Sequence, residues 1–232
     1  MWYYLFRHSE HEADQTGVDG PIASEIPVLH SLYQRSMAGQ KVMMVEASTR
    51  PDVRLMAAHF LAGIPKDMFG GIDLGGHEVF GIFLEDALRS RISADPELKK
   101  KLKAEYTDSE EKKKGLTVEE YVLLEKVGLW PQITQWAEEI MTHLFELENE
   151  FGQEAVIVGF SHGGILEPVY CLASHLRNGG ELERWCFLGL ANSSLNKGFD
   201  RCAGLGIEIT KGQVTTVRDI PRPEIKVETI VK

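Results

Sequence analysis

The first apolar run of the chain, Trp2-Tyr3-Tyr4-Leu5-Phe6, has the length of a strand and stops at Arg7-His8-Ser9-Glu10. Unbroken hydrophobicity over five residues predicts a buried strand, and in α/β sheets the carboxyl ends of such strands are where ligands sit. The pattern returns at residues 154–160, which end in Ser161-His162-Gly163-Gly164. Residues 41–46 and 185–190 read as two further strands, and 206–210 with 213–217 as a hairpin across Lys211-Gly212. Between them lie helical stripes. Ile22, Ile26, Leu29, Leu32, Tyr33 and Met37 recur at helical spacing, interrupted early by Pro27. Pro131 opens a long helix to Asn149 that carries Ile133, Trp136, Ile140, Met141, Leu144 and Leu147 on one face, and residues 165–176 form another, with Gly179-Gly180 behind it. Strands alternating with helices predict an α/β fold: a three-layer α/β/α sandwich, its sheet mostly parallel with an antiparallel edge.

The polar stretches fall at strand ends. Residues 9–20 have the look of a loop folded over the end of the first strand. After the second strand, Ser48 and Thr49 precede Pro51-Asp52 in the manner of a helix start, and a helix opening at a strand's carboxyl end favours anions. Two arginines stand there, Arg50 and Arg54. Glycines next to His162 allow close approach of backbone to an anion. Residues 86–115 mix Lys99-Lys100-Lys101 with Glu110-Glu111-Lys112-Lys113-Lys114, the signature of solvated helices and polar links. His143, on the long helix, has no metal-ligand spacing around it and reads as a surface or satisfied residue.

Length and composition narrow the picture further. A chain of 232 residues holds one α/β domain with an insertion more readily than two enzyme domains. With 43% hydrophobic and 26% charged residues it reads as a soluble globular protein. The first residues lack a basic stretch and a cleavage site, so the start reads as a strand and the location as cytoplasmic. A net charge of −10 argues against nucleic-acid binding, while a small pocket lined by arginine and histidine remains locally positive. Cys171, Cys186 and Cys202 read as reduced thiols.

Taken together, Leu5-Phe6-Arg7-His8-Ser9-Glu10 and Val158-Gly159-Phe160-Ser161-His162-Gly163-Gly164 resemble the histidine phosphatase superfamily, often called phosphoglycerate-mutase-like. In that family an Arg-His-Gly-type motif ends the first strand and a Ser-His-Gly-Gly-type motif ends a later one. Asp19-Gly20-Pro21-Ile22 is similar to the family's Asp-x-Pro-Leu entry to its first helix, and residues 47–54 to its Ser-Ser-Pro-x-x-Arg turn. The stretch from Phe69 to Glu78 resembles its Glu-x-x-(Phe/Leu)-Gly-x-Trp-Glu-Gly segment, with Gly71 where the first Glu would stand.

The resemblance implies a single phosphoglycerate-mutase-like domain over residues 1–232 with a variable, mainly helical cap at about 66–130. It implies a phosphomonoester phosphatase working through a phosphohistidine on His8. Arg7, His162 and either Arg54 or Arg50 would clamp the phosphoryl oxygens, with Ser161 and Gly163 beside them. Glu78 would be the general acid, with Asp73 or no carboxylate as the alternatives. The nitrogen of His8 that does not attack needs a fixed partner, from residues 17–19 or from a strand carbonyl. A mutase-type phosphotransferase and a non-catalytic phosphate-ligand-binding regulatory domain are the rival readings. No metal and no cofactor are expected. The partner is a small phosphorylated substrate, not nucleic acid or membrane, and a homodimer is left open.

Overall fold

In a computed structural model of the chain, the described residues are 1–9, 11–13, 19–48, 51–70, 128, 130–161, 165–185 and 199–224. Five strands form one sheet in the order β4-β5-β1-β6-β7: β1 is Trp2–Arg7, β4 Val42–Ala47, β5 Val156–Ser161, β6 Gly204–Thr210 and β7 Gln213–Ile220. Strand β5 lies between β4 and β1, parallel to both. Strand β6 pairs antiparallel with β1 and β7, so β6 alone runs against the other four. The expected fold is the observed one, mostly parallel with an antiparallel hairpin at the edge.

Alternation along β1 sorts the two faces, as the two-residue period of a strand requires. Tyr3 and Leu5 pack with α3 (Trp130–Phe151) and α4 (Leu166–Arg177), whereas Tyr4 and Phe6 pack with α1 (Ile26–Ser36) and α2 (Pro51–Ala62). The rings of Phe6, Phe160 and Phe60 cluster just below the strand ends, Phe160 stacked on Phe6 at 5.7 Å and tilted against Phe60 at 5.2 Å between centroids. Each belongs to a different element, so this cluster fixes β1, β5 and α2 relative to one another.

Several expected elements are corrected in detail. Residues 22–25 are a turn, and Pro27 does not interrupt α1 but stands in its opening turn, where a missing N–H costs nothing. The polar stretch 9–20 contains a small antiparallel pair, β2 (His11–Ala13) with β3 (Asp19–Pro21). Trp185 is not in a strand, and residues 186–190 lie outside the described residues. Of the expected 66–130 insertion, residues 71–127 and 129 lie outside them as well. Its entrance is a 3-10 turn at Lys66–Met68, after which Phe69 bridges in parallel to Val42 on the open edge of β4. Among the described residues no helix is long and apolar enough to cross a membrane.

The β6–β7 hairpin turns at Lys211 and Gly212, with φ of 54° and 71°. Two successive left-handed residues make the turn that matches strand twist, and glycine accepts such a φ without strain. The Glu148 carboxylate of α3 accepts both turn N–H groups, each at 3.0 Å. On the same side of the sheet the Tyr3 hydroxyl donates to Glu46 Oε2 at 2.8 Å, and His143 Nε2 lies 2.9 Å from Glu46 Oε1. His143 is thus a satisfied residue, tying α3 to β4. Gly159, the register partner of Glu46, leaves the room Tyr3 needs: a Cβ there would run into the phenol, with Cζ at 2.9 Å.

Two expectations follow from this network. Gly159→Ala should lower stability by roughly 1–3 kcal/mol through overpacking, read as a lower urea midpoint. Burial works to lower the His143 pKa, but the hydrogen bond and charge of Glu46, aided by Glu146 and Glu150, hold it above the usual imidazole value. The imidazolium is favoured in the folded state, so its contribution is complete below about pH 6.5 and fades as pH rises through the raised value. Unfolding of the wild type and of His143→Gln across pH 5.5–8.5 should show the stability gap narrowing toward the alkaline end.

Candidate active site

Arg7 and Ser161 are the last residues of β1 and β5 and are paired in register. The next step of the ladder is the His8 N–H donating to the Ser161 carbonyl at 2.8 Å. Strand β4 ends at the same level, because the Ser48 N–H donates to the Phe160 carbonyl at 3.1 Å. Three parallel strands therefore finish at one level, and it is outside such carboxyl ends that α/β sheets place their ligands.

His8 is oriented by its own loop. Its Nδ1 lies 2.8 Å from the Ser9 carbonyl oxygen. A carbonyl only accepts, so Nδ1 carries the proton and Nε2 is the basic nitrogen of the neutral ring. Of the two partners expected for this nitrogen, a backbone carbonyl is the one found, one residue beyond the strand. Ser9 is itself buried, and its N–H points at Met56 Sδ of α2, 3.0 Å away. The turn carrying His8 thus rests on the helix that opens after β4.

Arg7 is held from the other side. Its N–H donates to the Ala203 carbonyl at 2.8 Å, its carbonyl accepts from the Cys202 N–H at 3.2 Å, and its Nη1 donates to the Phe199 carbonyl at 2.6 Å. Cys202 adopts a left-handed φ of 59° and its thiol donates to Glu25 Oε2 at 3.3 Å. Arg222 grips that carboxylate with both terminal nitrogens, at 2.9 and 2.6 Å. Burial works to raise the Glu25 carboxyl, but Arg222 outweighs it and leaves the pKa below the usual value.

The remaining expected residues divide into two groups. Ser161 is fully buried, and its hydroxyl makes no hydrogen bond to any described residue. Arg54 is exposed in the first turn of α2, two residues before Met56. His162, Gly163, Arg50, Asp73 and Glu78 lie outside the described residues. The described thiols are poor nucleophiles, since burial and the charge of Glu167 push Cys171 up to about 12, and burial with Glu25 pushes Cys202 higher still. Among the described residues no three side chains of His, Cys, Asp or Glu group as a metal site.

Glu167, Phe199, Glu25 and Arg222 were not expected at the site. Glu167 follows Gly164 by three residues and reads in the sequence as an ordinary acidic residue of a helix's first turn. Nothing in the sequence around Phe199 marks it as a partner of Arg7, nor around Arg222 as a partner of Glu25.

No family model matches the chain, and no curated protein matches it. Solved structures do. A putative alpha-ribazole-5'-P phosphatase from Escherichia coli str. K-12 substr. MG1655 is similar at a TM-score of 0.52 and 16% identity, over 95% of this chain and 96% of that one. The alpha-ribazole phosphatase from Shigella flexneri is similar at 0.48 and 16%, over 98% and 100%. Phosphoserine phosphatase from Entamoeba histolytica, solved with 3-phosphoglyceric acid, is similar at 0.46 and 14%, over 94% and 96%. The first of these covers nearly the whole of both chains, and what it shares with this one is the fold.

Proposed function

We propose that this chain, whose fold is the phosphoglycerate-mutase-like one of the histidine phosphatases, is a phosphomonoester phosphatase that works through a phosphohistidine on His8. The observation that carries the reading is the Nδ1 contact to the Ser9 carbonyl, which makes Nε2 the nitrogen with the lone pair at a strand end beside Arg7. In the first step that lone pair forms a bond to phosphorus as the bond from phosphorus to the ester oxygen breaks, and the departing oxygen takes a proton. In the second, water attacks phosphorus, the bond from nitrogen to phosphorus breaks and its electrons return to Nε2. Arg7, His162 and one of Arg54 and Arg50 would stabilise the charge on the non-bridging oxygens. Ser161 and Gly163 would stand next to them. That a phosphatase is the activity named for the E. coli protein of the same fold supports the class of reaction; the substrate is not carried over.

His8→Ala should abolish both turnover of an aryl phosphate and acid-labile labelling of the protein, because the covalent route runs through its Nε2. Appreciable turnover by that variant would sink the mechanism. For the proton donor, Glu78→Gln should slow alkyl phosphates on the order of 10²–10⁴-fold and aryl phosphates far less, since an aryl leaving group departs without protonation. Asp73→Asn is the matched control. If neither change moves the alkyl-to-aryl rate ratio, this turn supplies no acid.

A further inference from the structure

The geometry points to Glu167 as a positioning residue for Arg7, acting through the backbone of Phe199. Glu167 is fully buried in the first turn of α4, and its Oε1 accepts the Phe199 N–H at 3.1 Å. The carbonyl of the same Phe199 accepts from Arg7 Nη1 at 2.6 Å. One residue thus faces the carboxylate with its donor and the guanidinium with its acceptor. Its ring is held to the same helix, edge-on to Tyr170 at 5.9 Å between centroids.

A side chain as long as arginine has considerable rotamer freedom at a strand end, and fixing it costs entropy. The Phe199 carbonyl is one anchor of the guanidinium here, so the place of that carbonyl bears on where the other guanidinium hydrogens aim. Three residues on, Cys202 and Ala203 pair with the main chain of Arg7, which means that the whole residue is referenced to the 199–203 segment. Glu167, beside the ring contact of Tyr170, ties the start of this segment to α4, the helix opening directly behind Ser161-His162-Gly163-Gly164. The two strand-end motifs are therefore joined by a path from Glu167 to Phe199 to Arg7 in addition to their backbone ladder. A carboxylate in the first turn of a helix is favoured by the helix dipole, and a buried one needs hydrogen-bond donors such as this N–H.

The consequence for a phosphate clamp rests on the phosphatase reading, while the orientation of Arg7 does not. The test compares Glu167→Gln, which keeps an acceptor oxygen at the same reach, with Glu167→Asp, which keeps the charge but is one methylene short. Nitrogen NMR of the Arg7 guanidinium reads its restricted rotation, and a phosphorus NMR titration reads the Kd for inorganic phosphate. The Gln variant should keep slow rotation and the wild-type Kd. The Asp variant should lose slow rotation and bind phosphate about 10–100-fold more weakly, the worth of one charge-assisted hydrogen bond. In an Arg7→Lys background the Asp change should cost no further affinity, whereas a merely structural role would give additive losses. Unchanged Arg7 rotation in the Asp variant, a Gln variant as impaired as the Asp one, or additive losses would each overturn the assignment. Rotation is read without substrate, so a wild-type protein that neither binds phosphate nor turns over aryl phosphates refutes the phosphatase reading, and the positioning role then stands or falls on rotation alone.

Discussion

The register between β1 and β5 is the constraint on which both the core and the site depend. Pairing Arg7 with Ser161 brings the two strand-end motifs to the same level and lets the His8 N–H close the ladder on the Ser161 carbonyl. A slip of one residue would turn every side chain of β1 to the opposite face. Tyr3 and Leu5 would leave the α3 and α4 side, Tyr4 and Phe6 would leave the α1 and α2 side, and the Tyr3 phenol would lose Glu46. Core alternation and site geometry are therefore one specification: the apolar residues that fix the register also place Arg7 and His8.

Among the described residues, four carboxylates tie distant parts of the chain together. Glu46 joins β4 to Tyr3 of β1 and His143 of α3, Glu148 joins α3 to the β6–β7 turn, Glu167 joins α4 to Phe199, and Glu25 joins the start of α1 to Cys202 and Arg222. All four are buried, and each meets donors from a distant part of the chain. Buried acceptors satisfied in this way specify one arrangement of helices on the sheet, because a shifted helix would leave a charge without its partners. Part of the acidic excess of this chain is thus structural and not a property of its surface.

That division explains how much could be read in advance. Runs and stripes of apolar residues carry the period of their element, so β1, β4, β5, the hairpin at Lys211-Gly212 and the helices α1, α3 and α4 were visible in the sequence, and with them the fold. Pro27 was misread because a proline near a helix start and one inside a helix differ only by where the turn falls. The pairing of β2 with β3 was missed because three-residue strands have too few positions to show alternation. At the site, the motifs exposed Arg7, His8 and Ser161, since their neighbours in sequence are also their neighbours in the strand. Glu167, Phe199 and Arg222 gave no sign, because a hydrogen bond between residues as far apart as 25 and 222 leaves no local pattern.

The same buried carboxylates bear on which side chain does the chemistry. Cys202 sits beside Arg7 and Cys171 within α4, yet each has an acid near it, Glu25 and Glu167 respectively, whose charge adds to burial in keeping the thiol protonated. A thiol held in that state neither attacks phosphorus nor binds a metal at neutral pH. His8 meets the opposite treatment: it is only partly buried, and its described ring contact is to a neutral carbonyl that fixes the tautomer without adding negative charge. That contact leaves Nε2 as the unprotonated nitrogen of the neutral ring, at the strand end that also carries Arg7. The buried acids serve the packing of helices on the sheet, while the described contact of His8 is with the backbone of its own loop.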